Sequence, residues 1–207
     1  MTQKIKGPAM AATIDRPGSQ VDNELSHKSD NAAWQATTDL SVQDHEWLTS
    51  HGVSPSAIIE PWPIRSARVQ FDGLHGFDFA TESEQALVFK AEDRREQIDF
   101  IAWERRTGNL ASWYGNAFCL GDVDDIFNPA TYFAGDALRL HETSLDWLRA
   151  DRDGIVILCP ELVPAYLANC QRVRCSNVSY ARKVEKWLQP HKPKVEILVE
   201  VEERGAA

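Results

Sequence analysis

His141-Glu142 opens like the zinc-protease pattern, in which a second His one helical turn later completes the metal site, but position 145 is Leu. The pair therefore reads as strand-end groups, with a metal kept only as an alternative role for Glu142. Asp122, Asp124 and Asp125 form an acidic cluster without the loop Gly or the terminal Glu of a calcium hand. Placed after Gly121 and before Ile126-Phe127, they read as first-turn acids that complement the positive end of a short helix. Cys119, Cys159, Cys170 and Cys175 include no C-x-x-C pair, so they are expected as buried thiols rather than zinc ligands. No metal and no cofactor is expected. The chain also has no G-x-S-x-G, no G-x-x-x-x-G-K and no G-x-G-x-x-G, which removes a recognisable nucleophile elbow, phosphate cradle and dinucleotide turn.

One charge asymmetry remains. Between Arg172 and Lys194 stand seven Lys or Arg and a single acid, Glu185, a local net of +6 in a chain whose formal net charge is −9. Arg172, Arg174, Arg182, Lys183 and Lys186 are the candidate nucleic-acid contacts, since guanidinium and ammonium groups suit phosphate oxygens. The competing explanation is a solvated helix face that balances acids elsewhere, with Tyr180 and Trp187 in the core rather than stacked on bases. The overall acidity argues against a surface dedicated throughout to nucleic acid.

These residues need elements to hold them. Leu138 to Cys175 alternates strand and helix periodicity with few residues between. Leu138 and Leu140 alternate with Arg139 and His141, Thr143 caps a helix carrying Leu145, Trp147 and Leu148, and Asp153-Gly154 turns into the apolar run 155–159. Pro160 opens a second helix and Val173 to Cys175 makes a third strand, so this is a parallel β-α-β-α-β unit covered on both faces. In 177–188, Tyr180, Ala181, Val184, Trp187 and Leu188 form one apolar helical stripe, and 195–201 reads as a charged edge strand. Upstream, 86–91, 97–104 and 110–114, joined by short polar turns, predict an antiparallel meander. Residues 116–137 read as loop, with Phe118, Leu120, Ile126, Phe127, Tyr132 and Phe133 as anchors. Ser41-Val42-Gln43-Asp44 is a capping box for a helix that Gly52 stops, Ser54-Pro55 starts another turn, and irregular structure is expected onward to Gly76.

The fold class is thus α+β, with an antiparallel meander joined to a parallel β-α-β-α-β unit. With 43% hydrophobic positions and seven Trp, residues 34–207 can form one α+β domain, while 1–33, poor in apolar residues, is expected as a disordered N-terminal tail. No apolar run approaches the ~18 residues of a membrane span, and Lys4 and Lys6 precede no signal-length apolar stretch. A cytoplasmic, membrane-free protein with reduced thiols is expected.

The order of elements resembles a family. A helix ending in His51-Gly52-Val53, the strand Ile98-Asp99-Phe100-Ile101-Ala102-Trp103, the Leu120-Gly121 step and Leu138-Arg139-Leu140-His141-Glu142-Thr143 are similar to the Toprim region of phage and plasmid primase-helicases. In that family a strand-end Glu followed by Gly begins a metal site that a D-x-D after the third strand completes. Glu142 matches the first position. Thr143 replaces the Gly, and Ser176-Asn177 stands where the paired acids belong, so the resemblance implies a degenerate Toprim-like module without magnesium chemistry. Two functions follow as expectations. One is a non-catalytic accessory or binding protein of a mobile element, contacting nucleic acid or a protein partner. The alternative is a metal-dependent hydrolase or nuclease centred on Glu142 with Asp146, Glu161 or another carboxylate.

Overall fold

The chain divides into two units, Met1–Gln35 and Ala36–Ala207. The computed structural model describes residues 34–35, 37–73, 76–80, 83–93, 96–168, 170–189 and 196–199; the expected tail 1–33 lies outside them, as do Lys192 and Lys194.

The second unit begins with strand β1 (Thr38–Asp39) and helix α1 (Val42–Ser50). The capping box forms as expected: the Ser41 hydroxyl accepts from the Asp44 amide at 3.1 Å and donates to its carboxylate at 2.7 Å. Helix α2 (Pro55–Ile59) follows, with Ser54 at its N-cap and Pro at the first position. The stretch expected to be irregular holds two strands instead, β2 (Arg65–Phe71) and β3 (Phe77–Phe79). In β2 the buried groups are largely small or polar: Ser66, Ala67 and Val69 lie between exposed or half-exposed Arg65, Arg68 and Gln70. Such a strand carries little apolar signal, and its neighbours stabilise it: β1 and β3 pair with it along one side and β4 along the other.

The expected meander is present as β4 (Glu84–Asp93), β5 (Glu96–Trp103) and β6 (Leu110–Ser112). Pairing of β4 with β5 continues to Asp93↔Glu96, so the strands run into the polar stretch that sequence assigns to the loop. The antiparallel order is β1-β2-β4-β5-β6, with β3 beside β2. Trp113, which leaves strict alternation, packs edge-on against Phe79 at 5.1 Å and against Phe100 at 5.7 Å. Asp99, 1% exposed, organises the turn after β6. Its Oδ1 accepts from the amides of Phe100 and Tyr114 at 2.7 and 2.9 Å, and its Oδ2 from the Ser112 hydroxyl and the Asn116 amide at 2.7 and 2.9 Å.

Residues 116–137 are more ordered than a loop. They hold strand β7 (Cys119–Leu120) and 3₁₀ segments Val123–Ile126 and Pro129–Gly135. Phe118, Leu120 and Ile126 are buried, whereas the expected anchors Phe127 and Phe133 are 55% and 79% exposed.

The crossover unit is β8 (Leu138–His141), α3 (Ser144–Arg149), β9 (Ile155–Ile157), α4 (Val163–Leu167), β10 (Arg172–Cys175), α5 (Val178–Leu188) and β11 (Glu196–Val199). The sheet order is β11-β10-β8-β9-β7, parallel except for β7, and β11 lies at the edge as its charges predict. From β8 the chain crosses toward β9, then reverses to β10 and β11. Right-handed crossovers therefore put α3 on one face and α4 and α5 on the other. The α3 face meets the antiparallel sheet, where Trp147 packs edge-on against Phe89 of β4 at 5.9 Å. One apolar cluster spans both sheets and includes Leu48, Phe89, Ile101, Leu140, Leu148, Val173 and Val184. Gly154 turns into β9 at φ +84°, where a Cβ would collide with the Arg139 carbonyl, so no other residue fits this turn unstrained.

Candidate nucleic-acid interface

Helix α5 is built from a cap and a stripe. The Asn177 side chain accepts from the Tyr180 amide at 2.8 Å, satisfying a first-turn donor. Tyr180, Ala181, Val184 and Leu188 are buried, and Trp187 meets the Tyr180 ring edge-on at 6.1 Å. The aromatics of this helix thus belong to the core. Arg182, Lys183 and Lys186 stand on the opposite side, all exposed. Their spacing of three and four residues makes them neighbours on one helical surface.

Strand β10 divides the remaining candidates from these three. Val173 and Cys175 are buried beside Leu138 and Leu140 of β8, while Arg172 and Arg174 alternate to the other face. Because Tyr180 of α5 lies on the Cys175 side, Arg172 and Arg174 are on the reverse of the sheet from α5. Arg172 Nη1 donates to the Gly135 carbonyl at 2.5 Å, and Arg174 pairs with Asp136 at 3.5 Å. The fold thus splits the five candidates into two groups, Arg182, Lys183 and Lys186 on α5 and Arg172 and Arg174 on the opposite face of the sheet.

Glu142 bears on this surface. It follows β8, while Ser176 and Asn177 follow the adjacent β10, so all three sit at the carboxyl ends of neighbouring parallel strands where the chain reverses its crossing direction. Glu142 Oε1 meets Lys183 Nζ at 2.5 Å and Oε2 accepts from Asn177 Nδ2 at 3.2 Å. The hydrogen bond from Lys183, followed by that from Asn177, holds the Glu142 carboxyl below its ordinary pKa. Lys183 is thereby neutralised locally. Arg182 and Lys186 have no carboxylate partner among the described residues. Asn177, at the start of the helical range read from sequence, meets Glu142 from 35 residues away, a contact that no local pattern encodes.

The other candidate chemistry disperses. His141 Nε2 lies 2.8 Å from the Asp153 carbonyl, which fixes the ring in the turn before β9. Asp146 accepts from Thr143 Oγ1 at 2.6 Å and pairs with Arg149 at 3.3 Å, and Glu161 is exposed in the 3₁₀ turn Pro160–Leu162. Asp122 caps the 3₁₀ segment it precedes, and burial, followed by repulsion from Asp122, raises Asp125 to about 6. All four cysteines are buried and none is in a disulfide, and burial pushes Cys175 up to about 12. Among the described residues no three His, Cys, Asp or Glu side chains converge on one point, and no helix is long and apolar enough to cross a membrane.

Fold and surface together define an α+β protein in which an antiparallel sheet backs a largely parallel one and a basic helical face lies beside the strand ends. No family model, curated protein or solved structure matches the chain.

Proposed function

We propose that this is a non-catalytic accessory protein of a mobile element, cytoplasmic and built on a degenerate Toprim-like scaffold, that contacts nucleic-acid phosphates through the outer face of α5. The observation that carries the proposal is the exposed trio Arg182, Lys183 and Lys186, of which Arg182 and Lys186 have no acidic partner among the described residues. In a chain of net charge −9 such a face is a local patch of positive charge. With Tyr180 buried and Trp187 half-buried, little aromatic surface is left for base stacking, so the contact is electrostatic and independent of sequence.

The side-by-side placement of Glu142 and Asn177 supports the Toprim-like part of the proposal, because the family's strand-end Glu and post-third-strand acids would occupy those two positions. The same placement favours the non-catalytic form. Magnesium binds through carboxylate oxygens and water. Here both Glu142 oxygens are engaged by Lys183 and Asn177, and the neighbouring strand end offers a hydroxyl and an amide. A hydrolase or nuclease centred on Glu142 is the less supported alternative. A protein partner is a second reading, favoured by the exposed side chains of Phe127 and Phe133, which lie in the segment before β8 and not on α5.

Fluorescence anisotropy with labelled duplex DNA, single-stranded DNA and RNA at low salt tests the proposal. The parent should bind weakly and without sequence preference, and replacing Arg182, Lys183 and Lys186 by Gln should abolish binding while leaving circular dichroism unchanged. A folded triple variant with parental affinity, or a parent that binds none of the three at low salt, would overturn it.

A further inference from the structure

Strands β1 and β3 pair with the same edge of β2 but cover different parts of it. β1 meets Arg65 and Ser66, β3 meets Val69 to Phe71, and Ala67 and Arg68 fall between the two. A cleft of about 780 Å³ opens at this seam, where Ser66, Ala67 and Arg68 line it together with Phe79 of β3 and Gln85 of β4. Strand residues alternate in direction, so Ser66 and Arg68 point to one side of β2, about 7 Å apart along it, and Gln85, opposite Arg68, shares that side.

A buried hydroxyl in this lining has a proton to give. Ser66 is 3% exposed, and its Oγ accepts from Gln85 Nε2 at 2.8 Å. The same nitrogen donates to the Asp44 carboxylate at 3.2 Å, which is ion-paired with Arg105 at 2.6 Å. An ionised carboxylate only accepts, so the nitrogen end of the amide must face Asp44, and both of its hydrogens are used. Ser66 is therefore the acceptor in its bond with Gln85, and its own O–H meets no acceptor among the described residues. Arg68, two residues on, is exposed and gives one of its five donors, through Nη1, to the Ser83 carbonyl at 3.1 Å. It forms no ion pair among the described residues. Of the acids beside the lining residues in sequence, Asp39 is paired with Arg65 and Glu84 with Arg106, while Asp78, opposite Gln70, is exposed and makes no ion pair with Arg68.

We propose that this cleft binds a small ligand with an anionic head and an apolar body, the head taking the Ser66 hydroxyl and the Arg68 guanidinium and the body lying toward Ala67 and Phe79. Gln85 fixes the Ser66 oxygen, and the long Arg68 side chain spans the distance between the two donors. An ionised head is favoured over a neutral one because hydrogen bonds to a charged acceptor are about twice as strong. The volume falls within the ~300–1,000 Å³ of pockets for small organic ligands, so a bare ion would leave most of it empty. Ala67, 9% exposed, and half-buried Phe79 give the body its apolar wall. The seam belongs to the antiparallel sheet and shares no residue with the α5 face, so the inference does not rest on the nucleic-acid reading.

Ligand-observed saturation-transfer NMR titrations on the full chain test this, with hexanoate and hexyl phosphate as probes and 1-hexanol as the neutral control. At least one anion should bind, and whichever binds more tightly identifies the head as carboxylate or phosphoryl. 1-Hexanol should bind at least about tenfold more weakly, and Ser66→Ala and Arg68→Gln should each weaken the anion by about tenfold, the size expected for losing one charge-assisted hydrogen bond. Arg68 is exposed, so Arg68→Gln should leave circular dichroism unchanged and carries the test by itself if Ser66→Ala does not fold. The proposal is overturned if neither anion binds, if 1-hexanol binds as tightly, or if folded Arg68→Gln keeps parental affinity for the anion.

Discussion

Replacing Glu142 by Gln should strengthen nucleic-acid binding and make it more salt-sensitive. In the parent the Glu142 carboxylate lies 2.5 Å from Lys183 Nζ, so a phosphate must compete with it for that cation. Two cations of the α5 face, Arg182 and Lys186, then act without such competition. Each phosphate neutralised contributes a slope of about −0.9 in log affinity against log salt on duplex DNA. Two contacts predict a slope near −1.8, which is roughly a 12-fold loss of affinity between 50 and 200 mM salt; three contacts predict about −2.7 and roughly a 40-fold loss. Glu142→Gln should move the protein from the first behaviour toward the second, and Lys183→Gln in the parent should change little. In the Glu142→Gln background, Lys183→Gln should restore the parental slope. Anisotropy titrations at four salt concentrations on the four proteins measure all of this. The pair itself is partly exposed and worth only ~0–1 kcal/mol in stability, so loss of fold does not confuse the result. If Glu142→Gln leaves the slope unchanged while Arg182→Gln still weakens binding, the reasoning that Glu142 competes with phosphate is wrong.

Two further predictions concern the scaffold. Asp99→Ala removes a buried acceptor of four hydrogen bonds and should destabilise the protein by at least ~3 kcal/mol in urea unfolding, and Asp99→Asn should recover little because its amide nitrogen faces two donors. A loss under about 1 kcal/mol in Asp99→Ala would show that the 112–116 turn does not depend on this carboxylate. Asp125 is raised from 3.8 to about 6, so between those values the native state binds more protons than the unfolded chain and stability from this group falls as pH rises. Asp125→Asn should remove on the order of 1–2 kcal/mol of that fall between pH 4 and 6, and identical pH profiles in variant and parent would refute the shift. Glu142 acts in the opposite sense and in a lower window, its contribution being lost as pH drops below about 4.5 through its depressed pKa.

Local signals carried much of this architecture. The alternation of Leu138 and Leu140 with Arg139, the Thr143 cap, and the stripe from Tyr180 to Leu188 are written within one or two turns of chain, and each appears as an element where its period predicts. Periodicity also set which side chains of α5 face water, and with them the candidate surface. Strand β2 escaped because Ser66 and Ala67 supply little apolar contrast, and its burial comes from β1, β3 and β4 around it. The segment 116–137 escaped because β7 exists only by pairing with β9.

For the site, residue types and spacing established the local excess of basic charge and the lack of recognised catalytic spacing, since both are properties of the chain itself. Tertiary structure alone decided how that charge is distributed. A strand alternates its side chains across the sheet, so Arg172 and Arg174 go to the face opposite the helix that carries Arg182, Lys183 and Lys186. Parallel crossovers bring residues 35 and 41 positions apart to the same sheet end, which is how Glu142 meets Asn177 and Lys183. No local pattern encodes a distance between segments that only packing brings together.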